Sequence, residues 1–276
     1  MEISDGIDII DLCLHLKKHN VLIMADTHIG YEEAINKRGV LIPRFQFKEI
    51  IQRLEKILKK TGKLDKIIIN GDVKHEFGSI SEQEWRHTLR LLDFLEKYCK
   101  EIILIKGNHD KILGPIAKKR KVKVVDCVII YSNGVVKSIG INSTNKRPMT
   151  NESINKKIKN NTLIIHGDRL NDNIERIIKH SGINKIIIGH EHTAISIQDD
   201  SRVETFKCFL KGKWQRKTLI VQPSFNLVAE GTDILKGKLL SPFLNQNLDN
   251  FDAFLVADNI YKFGKIKKFR KANNNF

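Results

Sequence analysis

Ile102-Ile-Leu-Ile-Lys-Gly-Asn-His-Asp110 is the stretch whose reading decides the fold. Its aliphatic run has the length and character of a buried strand. The run stops at a glycine, and three polar side chains able to bind metal or move protons follow at once. Glycine permits the bend and a close backbone approach, and in open α/β sheets ligands sit at the carboxyl ends of such strands. The design recurs four times. Val21–His28 ends in Asp26-Thr-His28, and Ile67–His75 ends in Gly71-Asp72-Val-Lys-His75. Leu163–Asp168 ends in His166-Gly-Asp168, and Ile186–His192 ends in Gly189-His190-Glu-His192. Five apolar strands tipped with Asp, Asn or His predict one multi-metal site assembled from across the chain.

The segments between these strands supply the layers around them. Phe47, Ile50, Ile51, Leu54, Ile57 and Leu58 form the apolar stripe of a helix that packs on a sheet and ends at Gly62. Ser81-Glu-Gln-Glu84 has the form of a capping box opening a second helix, with Trp85, Leu89, Leu92 and Leu95 on one side and His87 facing solvent. Strands alternating with helices at this spacing imply right-handed crossovers and a largely parallel sheet. The segment after Gly30, through Gly39 and Pro43, reads as a loop, and residues 7–16 read as one edge strand. Beyond residue 121 the texture turns antiparallel. Val122–Tyr131 and Val135–Ile141 flank an Asn133-Gly134 turn, residues 142–161 read as a loop and short polar helix, and a helix is expected around Asn173–Ser181. Turns are expected at Asp199-Asp200-Ser201 and at Lys211-Gly212-Lys213. The expected organisation is one α/β domain over residues 1–260 and a basic tail over 261–276.

A chain of 276 residues with 41% hydrophobic residues can bury a sizeable core. Lys and Arg total 48 against 32 Asp and Glu, a net charge of +16 with histidine neutral, which favours a polyanionic partner. The four cysteines are scattered without paired spacing, so neither a disulfide framework nor a thiolate zinc site is expected. No apolar run approaches the roughly 20 residues needed to span a bilayer, and the N-terminus is acidic, unlike a secretory signal. A cytoplasmic protein with no membrane partner is expected.

Six of the ten histidines, His28, His75, His109, His166, His190 and His192, lie at the strand ends. Asp, His and Asn without thiolates suit hard or borderline divalent cations. The ordered set Asp26-x-His28, Gly71-Asp72-x-x-His75, Gly107-Asn108-His109-Asp110, His166 and Gly189-His190-x-His192 resembles the calcineurin-like metallophosphoesterase superfamily over residues 21–192. The Gly-Asp-x-x-His form is similar to its SbcD-related nuclease branch. Further segments, Lys207-Cys-Phe-Leu-Lys-Gly212, Gln222-Pro-Ser-Phe-Asn226 and Gly231-Thr-Asp233 among them, resemble SbcD-related archaeal phosphoesterases and the PdeM-type DNA endonucleases associated with ligases or helicases.

The resemblance implies an α/β/β/α sandwich, two packed mixed β-sheets flanked by helices. It implies two divalent ions, manganese first, with iron, zinc, nickel or magnesium as alternatives. One ion would be held by Asp26, His28, Asp72 and His192, and the other by Asp72, Asn108, His166 and His190. His109 would face the substrate phosphate, oriented by Asp110, and His75 would contact the scissile phosphate or a ligand. Many relatives carry His-Gly-His where this chain has His166-Gly-Asp168. Two cations about 3.5–4 Å apart clamp phosphoryl oxygens and activate a bridging water for in-line attack, after which His109 would stabilise the phosphoryl oxygens or protonate the departing alkoxide.

The expected activity is phosphodiester hydrolysis, with DNA, single-stranded first, as substrate and a DNA-repair helicase or ligase as partner. Basic clusters at Lys118–Lys121, Lys207–Lys217 (with Trp214) and the tail would bind the backbone. The alternatives are a phosphodiesterase or phosphatase for small molecules such as nucleotides, and a scaffold of the same fold without catalysis.

Overall fold

In the computed structural model of the chain, residues 1–140, 159–199, 202–236 and 238–273 are described. Two mixed sheets lie face to face between helices, the α/β/β/α order expected. The first sheet takes its strands in chain order: β1 (Glu2–Ser4), β2 (Ile7–Ile10), β3 (Cys13–Leu16), β4 (Val21–Ala25), β5 (Leu64–Asn70), β6 (Cys99–Ile105) and β7 (Lys123–Val125). The pairs β4–β5, β5–β6 and β6–β7 are parallel, joined by crossovers that carry α1 (Tyr31–Lys37), α2 (Gln46–Thr61), α3 (Glu82–Leu95) and α4 (Gly114–Lys119). The C-terminal ends of these four strands therefore open on one edge, where the motif turns of β4, β5 and β6 lie.

The second sheet is built from β8 (Cys127–Ile130), β9 (Val136–Ile139), β10 (Asn161–Ile165), β11 (Ile183–Ile188), β12 (Thr193–Asp199), β13 (Arg202–Trp214), β14 (Lys217–Val221), β15 (Thr232–Asp233), β16 (Asp252–Val256) and β17 (Ile260–Lys265). Among the described residues its order is β15-β12-β13-β14-β11-β10-β8-β9, with β16 on β13 and β17 on β16. Strand periodicity divides its side chains between two cores. Val128, Ile130, Ile164, Ile187 and Ile220 join the first sheet in the core between the sheets. Ile129, Leu163, Ile165, Ile186, Ile188 and Leu219 face the other way, onto Ile174, Ile177 and Ile178 of α5 (Asp172–His180) and onto Phe243 and Phe251.

Residues 222–226 stitch the sheets together beside the motif edge. The Gln222 N–H donates to Ile188 O at 2.8 Å, while its side-chain amide donates to Ile23 O at 3.2 Å. Three residues on, the Phe225 and Asn226 N–H groups donate to Ala25 O (2.7 Å) and Asp26 O (3.2 Å).

Several expectations are corrected. Residues 7–16 form two strands, because Asp11 adopts φ 56° and turns the chain back. The supposed loop after Gly30 contains α1. Val122–Tyr131 is split between the sheets: β7 pairs parallel with β6 and β8 pairs with β9 and β10, the chain changing sheets at Asp126. No turn occurs at Lys211-Gly212-Lys213. The strand β13 continues to Trp214 and reverses at Gln215-Arg216, both at positive φ, while Gly212 is the platform for Phe251, whose ring a Cβ there would overlap. His87 is half-buried, stacked on Phe47 with ring centroids 4.3 Å apart. The basic stretch from Tyr261 begins as strand β17 and continues as α6 (Ile266–Asn273). The helix placed within 142–161 lies, up to residue 158, outside the described residues, as do Asp200 and Ser201 of the turn between β12 and β13.

Candidate active site

The five motif turns meet where the C-terminal ends of β4, β5 and β6 face those of β10 and β11. Each turn follows a strand whose last residues are fully buried, so the chain leaves the core abruptly at the polar residue. Among the described residues three groups of donor atoms result, each with its atoms within 4.8 Å of one another: Asp26, His28, Asp72 and His192; Asp72, His166 and His190; and His28, His75 and His109. Asp72 belongs to the first two, and His28 to the first and third. Asn108 lies beside the second group, its Oδ1 3.0 Å from His166 Nε2.

The backbone is bent to make this possible. Asp26, His28, Asp72, His190 and His192 all have positive φ, between 37° and 66°. The left-handed region is uncommon for residues other than glycine, and such conformations cluster at functional sites. Two glycines permit the closest approaches: a Cβ at Gly71 would overlap the His166 ring, and one at Gly107 the Asp72 carboxylate. Main-chain N–H groups orient the carboxylates. His190 donates to Asp26 Oδ2 at 2.8 Å, and His109 donates to Asp72 Oδ1 at 2.9 Å.

The donor chemistry fits divalent cations. Burial, reinforced by neighbouring cationic groups, lowers His28 well below the ordinary imidazole range, His190 to about 4 and His192 to about 3. These rings are therefore neutral near pH 7 and offer lone pairs, the form metal binding requires. Ring nitrogens face each other: His28 Nε2 is 3.1 Å from His192 Nε2, and His190 Nδ1 is 3.2 Å from His166 Nε2. Ligands at right angles around one ion, each about 2.1 Å from it, lie roughly 3.0 Å apart. Burial pushes Asp26 up to about 8, aided by the charge on Asp72. Burial also opposes charge on Asp72 and His166, yet their 3.5 Å pairing prevails, holding His166 up at about 9 and Asp72 well below the carboxylate range. Asp26 Oδ1 and His166 Nδ1 are buried 3.4 Å apart as an ion pair, and neither has a hydrogen-bond partner among the described residues. A concentration of buried carboxylate with polar atoms left over is stabilised by bound positive charge.

The three residues expected to act on substrate are placed differently from one another. His75 and His109 stand beside the first group: His75 Nδ1 is 3.2 Å from His28 Nδ1, and His109 Nδ1 meets the His75 carbonyl oxygen. Among the described residues the Asp110 carboxylate makes no hydrogen bond to the His109 side chain that the resemblance has it orient. The Asp110 carboxylate is buried and accepts the N–H groups of Gly107 (3.1 Å), Val73 (3.1 Å) and Lys74 (3.4 Å), tying the β5 and β6 turns together. Asp168 is half-buried, and its charge adds to those that raise His166.

Sequence reasoning missed four nearby residues. Glu84, expected only as a helix cap, also accepts the N–H groups of His75 (2.9 Å) and Glu76 (2.7 Å). Lys74 is 0% exposed and donates to the Glu76 carbonyl. Lys207 turns inward to the Ser224 hydroxyl at 2.8 Å, and burial, with the nearby Arg53 charge, lowers it to about 8. The Phe77 ring lies on His109. The capping box pointed to Glu84; the other three carried no local signal.

Residues 19–194 match the sequence profile of the calcineurin-like phosphoesterases. No curated protein matches the chain. Among solved structures, the Pseudomonas putida nuclease MPE is similar with TM-score 0.54 and 16% identity, covering 92% of each chain. A protein of unknown function from Aquifex aeolicus gives 0.37 and 20% over 62% of this chain and 77% of its own. Vacuolar protein sorting 29 from Cryptosporidium parvum gives 0.37 and 13% over 89% and 97%. At these identities the likeness is one of fold.

Proposed function

The chain belongs to the calcineurin-like phosphoesterase family, and from that premise we propose that it is a two-metal phosphodiesterase acting as a nuclease on single-stranded DNA, of the SbcD- and PdeM-related kind. Family membership implies hydrolysis of phosphoesters with divalent metals. The observation that supports the two-metal reading is the sharing of Asp72 between two groups of imidazole and carboxyl donors. In this reading Asp26, His28, Asp72 and His192 hold one ion, and Asp72, Asn108, His166 and His190 the other, with manganese the first candidate. When bound, the pair supplies polarisation of the phosphoryl oxygens and an activated water.

The chain's own part is positioning and proton transfer. His109 Nδ1 donates to the His75 carbonyl, which fixes the tautomer and turns Nε2 toward the metal groups, 3.9 Å from Asp72 Oδ2. There Nε2, protonated when the ring is an imidazolium, meets the leaving alkoxide and gives it that proton, leaving a neutral ring with Nδ1–H still on the carbonyl. His75 contacts the phosphate, and Asp110 acts only by holding the two turns in register.

DNA as substrate is supported by the charge of +16 and by the nuclease activity in the name of the Pseudomonas putida protein. The basic clusters divide. Lys118, Lys119 and Lys121 are exposed. Lys207 is committed to Ser224, Trp214 is buried, and the Lys213–Lys217 turn sits at the opposite end of β14 from the site. Among the described residues no helix is long and apolar enough to cross a membrane. A cytoplasmic location rests on the four scattered cysteines, and a repair helicase or ligase as partner rests on the sequence resemblance. The test is Mn²⁺-dependent cleavage of labelled single- and double-stranded DNA beside a nucleotide panel. Single-strand cleavage that falls steeply with salt supports the reading, and salt-insensitive hydrolysis of nucleotides alone overturns it.

A further inference from the structure

We propose that Phe77 is a stacking shelf for the nucleobase attached to the scissile phosphate. The inference rests on the phosphodiesterase reading and names the part of the substrate that this site grips. Phe77 is 51% exposed, yet its inner neighbour is not the core. Its ring packs on His109, centroids 3.6 Å apart and planes inclined by 31°, and that ring is followed by those of His75 and Tyr31. One face thus covers the histidine that meets the leaving group, and solvent reaches the rest. In the chain on either side of His109, Lys106, Lys111 and Ile112 are exposed.

The shelf is held in place from beneath. The preceding residue, Glu76, is fixed at both backbone groups: its N–H donates to buried Glu84 and its carbonyl accepts from fully buried Lys74. Burying a lysine and a glutamate is costly, and here both are used to immobilise the root of one exposed aromatic ring beside the reaction centre. A ring so held loses little entropy on receiving a ligand. Every base has a π-face, so a single stacked base gives grip without sequence preference. Bases within a duplex are already stacked on one another, so this shelf accepts a base from a single or frayed strand. A free nucleotide offers the same face, and the experiment separates the two.

The substrates are two single-stranded oligonucleotides, one intact and one with a tetrahydrofuran abasic unit at the cleaved position. Wild type should cleave the intact strand with kcat/KM about tenfold higher, in the range of one stacked base. Phe77→Ala should abolish that difference, losing about tenfold more on the intact strand than on the abasic one, and Phe77→Trp should preserve it. A second readout does not need turnover. An oligonucleotide and a mononucleotide carrying 2-aminopurine, bound in Ca²⁺, should be quenched by wild type and Phe77→Trp but not by Phe77→Ala. Quenching of both probes keeps the shelf for bases in general, and quenching of the oligonucleotide alone assigns it to polynucleotides. Equal slowing of both strands by Phe77→Ala, or equal quenching by all proteins, overturns the shelf and leaves Phe77 a cover for His109. If wild type cleaves no DNA, the nuclease reading fails by itself, and the fluorescence still decides the shelf.

Discussion

The two halves of the site are held by different means. Donors from the first sheet, Asp26, His28, Asp72 and Asn108, sit on turns locked by carboxylates from the same stretch of chain. Asp110 gathers three N–H groups from the β5 and β6 turns, and Glu84 gathers those of His75, Glu76 and Ser81. Donors from the second sheet, His166, His190 and His192, depend on chain that comes much later. Glu191, between two of them, accepts the N–H groups of Leu240 (2.8 Å) and Ser241 (2.9 Å), and the Ser241 hydroxyl donates to Gly167 O at 2.8 Å. In the first half the β5 and β6 turns are complete once their own crossovers have formed, and only the Asp26 turn also takes N–H groups from later chain, those of His190, Phe225 and Asn226. The second is complete only when residues 222–241 have docked, so the two should respond differently to the same injury.

Asp72→Asn strikes the one carboxylate both halves share and should have the largest effect. Mn²⁺-dependent hydrolysis should fall by more than roughly 100-fold, beyond the usual effect of residues outside the ligand set, with circular dichroism unchanged. Calorimetric titration that still finds two tightly bound Mn²⁺ would refute the sharing. Next come the locks. Asp110→Ala orphans three buried N–H groups, at about 1–3 kcal/mol each, so urea unfolding should show a loss of about 3 kcal/mol or more. Glu191→Ala orphans two, and its loss should be nearer 2 kcal/mol, accompanied by weaker Mn²⁺ binding. The reverse order of stabilities would invert the contrast between the halves.

The smallest effect concerns the helices behind the first half. Burial, with Arg86 and Arg90 nearby, lowers His87 to about 4 from an ordinary 6.5. A base with a depressed folded value stabilises fully above the unfolded value, and that contribution is lost as pH falls from about 6.5 through about 4. Its half-exposed ring limits the term to the order of 1 kcal/mol. His87→Leu should flatten that part of the urea-midpoint profile between pH 7 and 4, and an unchanged slope would assign the acid sensitivity to other groups.

What sequence revealed follows the same division. The five motif strands and the helices α2, α3 and α5 were legible because period and punctuation agree: Ile50, Leu54, Ile57 and Leu58 then Gly62, or Ser81 with Glu84. The grouping of Asp72 with residues from both sheets was legible only through family resemblance, since nothing local to His166 says that it meets Asn108. The misreadings occur where tertiary contact overrides a local signal. Gly212 looks like a turn residue but serves the Phe251 ring. Asp110 follows His109 in sequence, yet the turn carries its carboxylate back to Gly107 and across to Val73. Lys207 reads as surface charge, and only the fold turns it toward Ser224.

The crossing at residues 222–226 sets a limit on what the cleft accepts. Its main chain is hydrogen-bonded to Ile188 on one side and to Ala25 and Asp26 on the other, so the sheets cannot slide apart to suit a guest. The scaffold behaves as a fixed gauge: divalent ions of different radius would be accommodated by rotation of imidazole and carboxylate side chains rather than by parting of the walls.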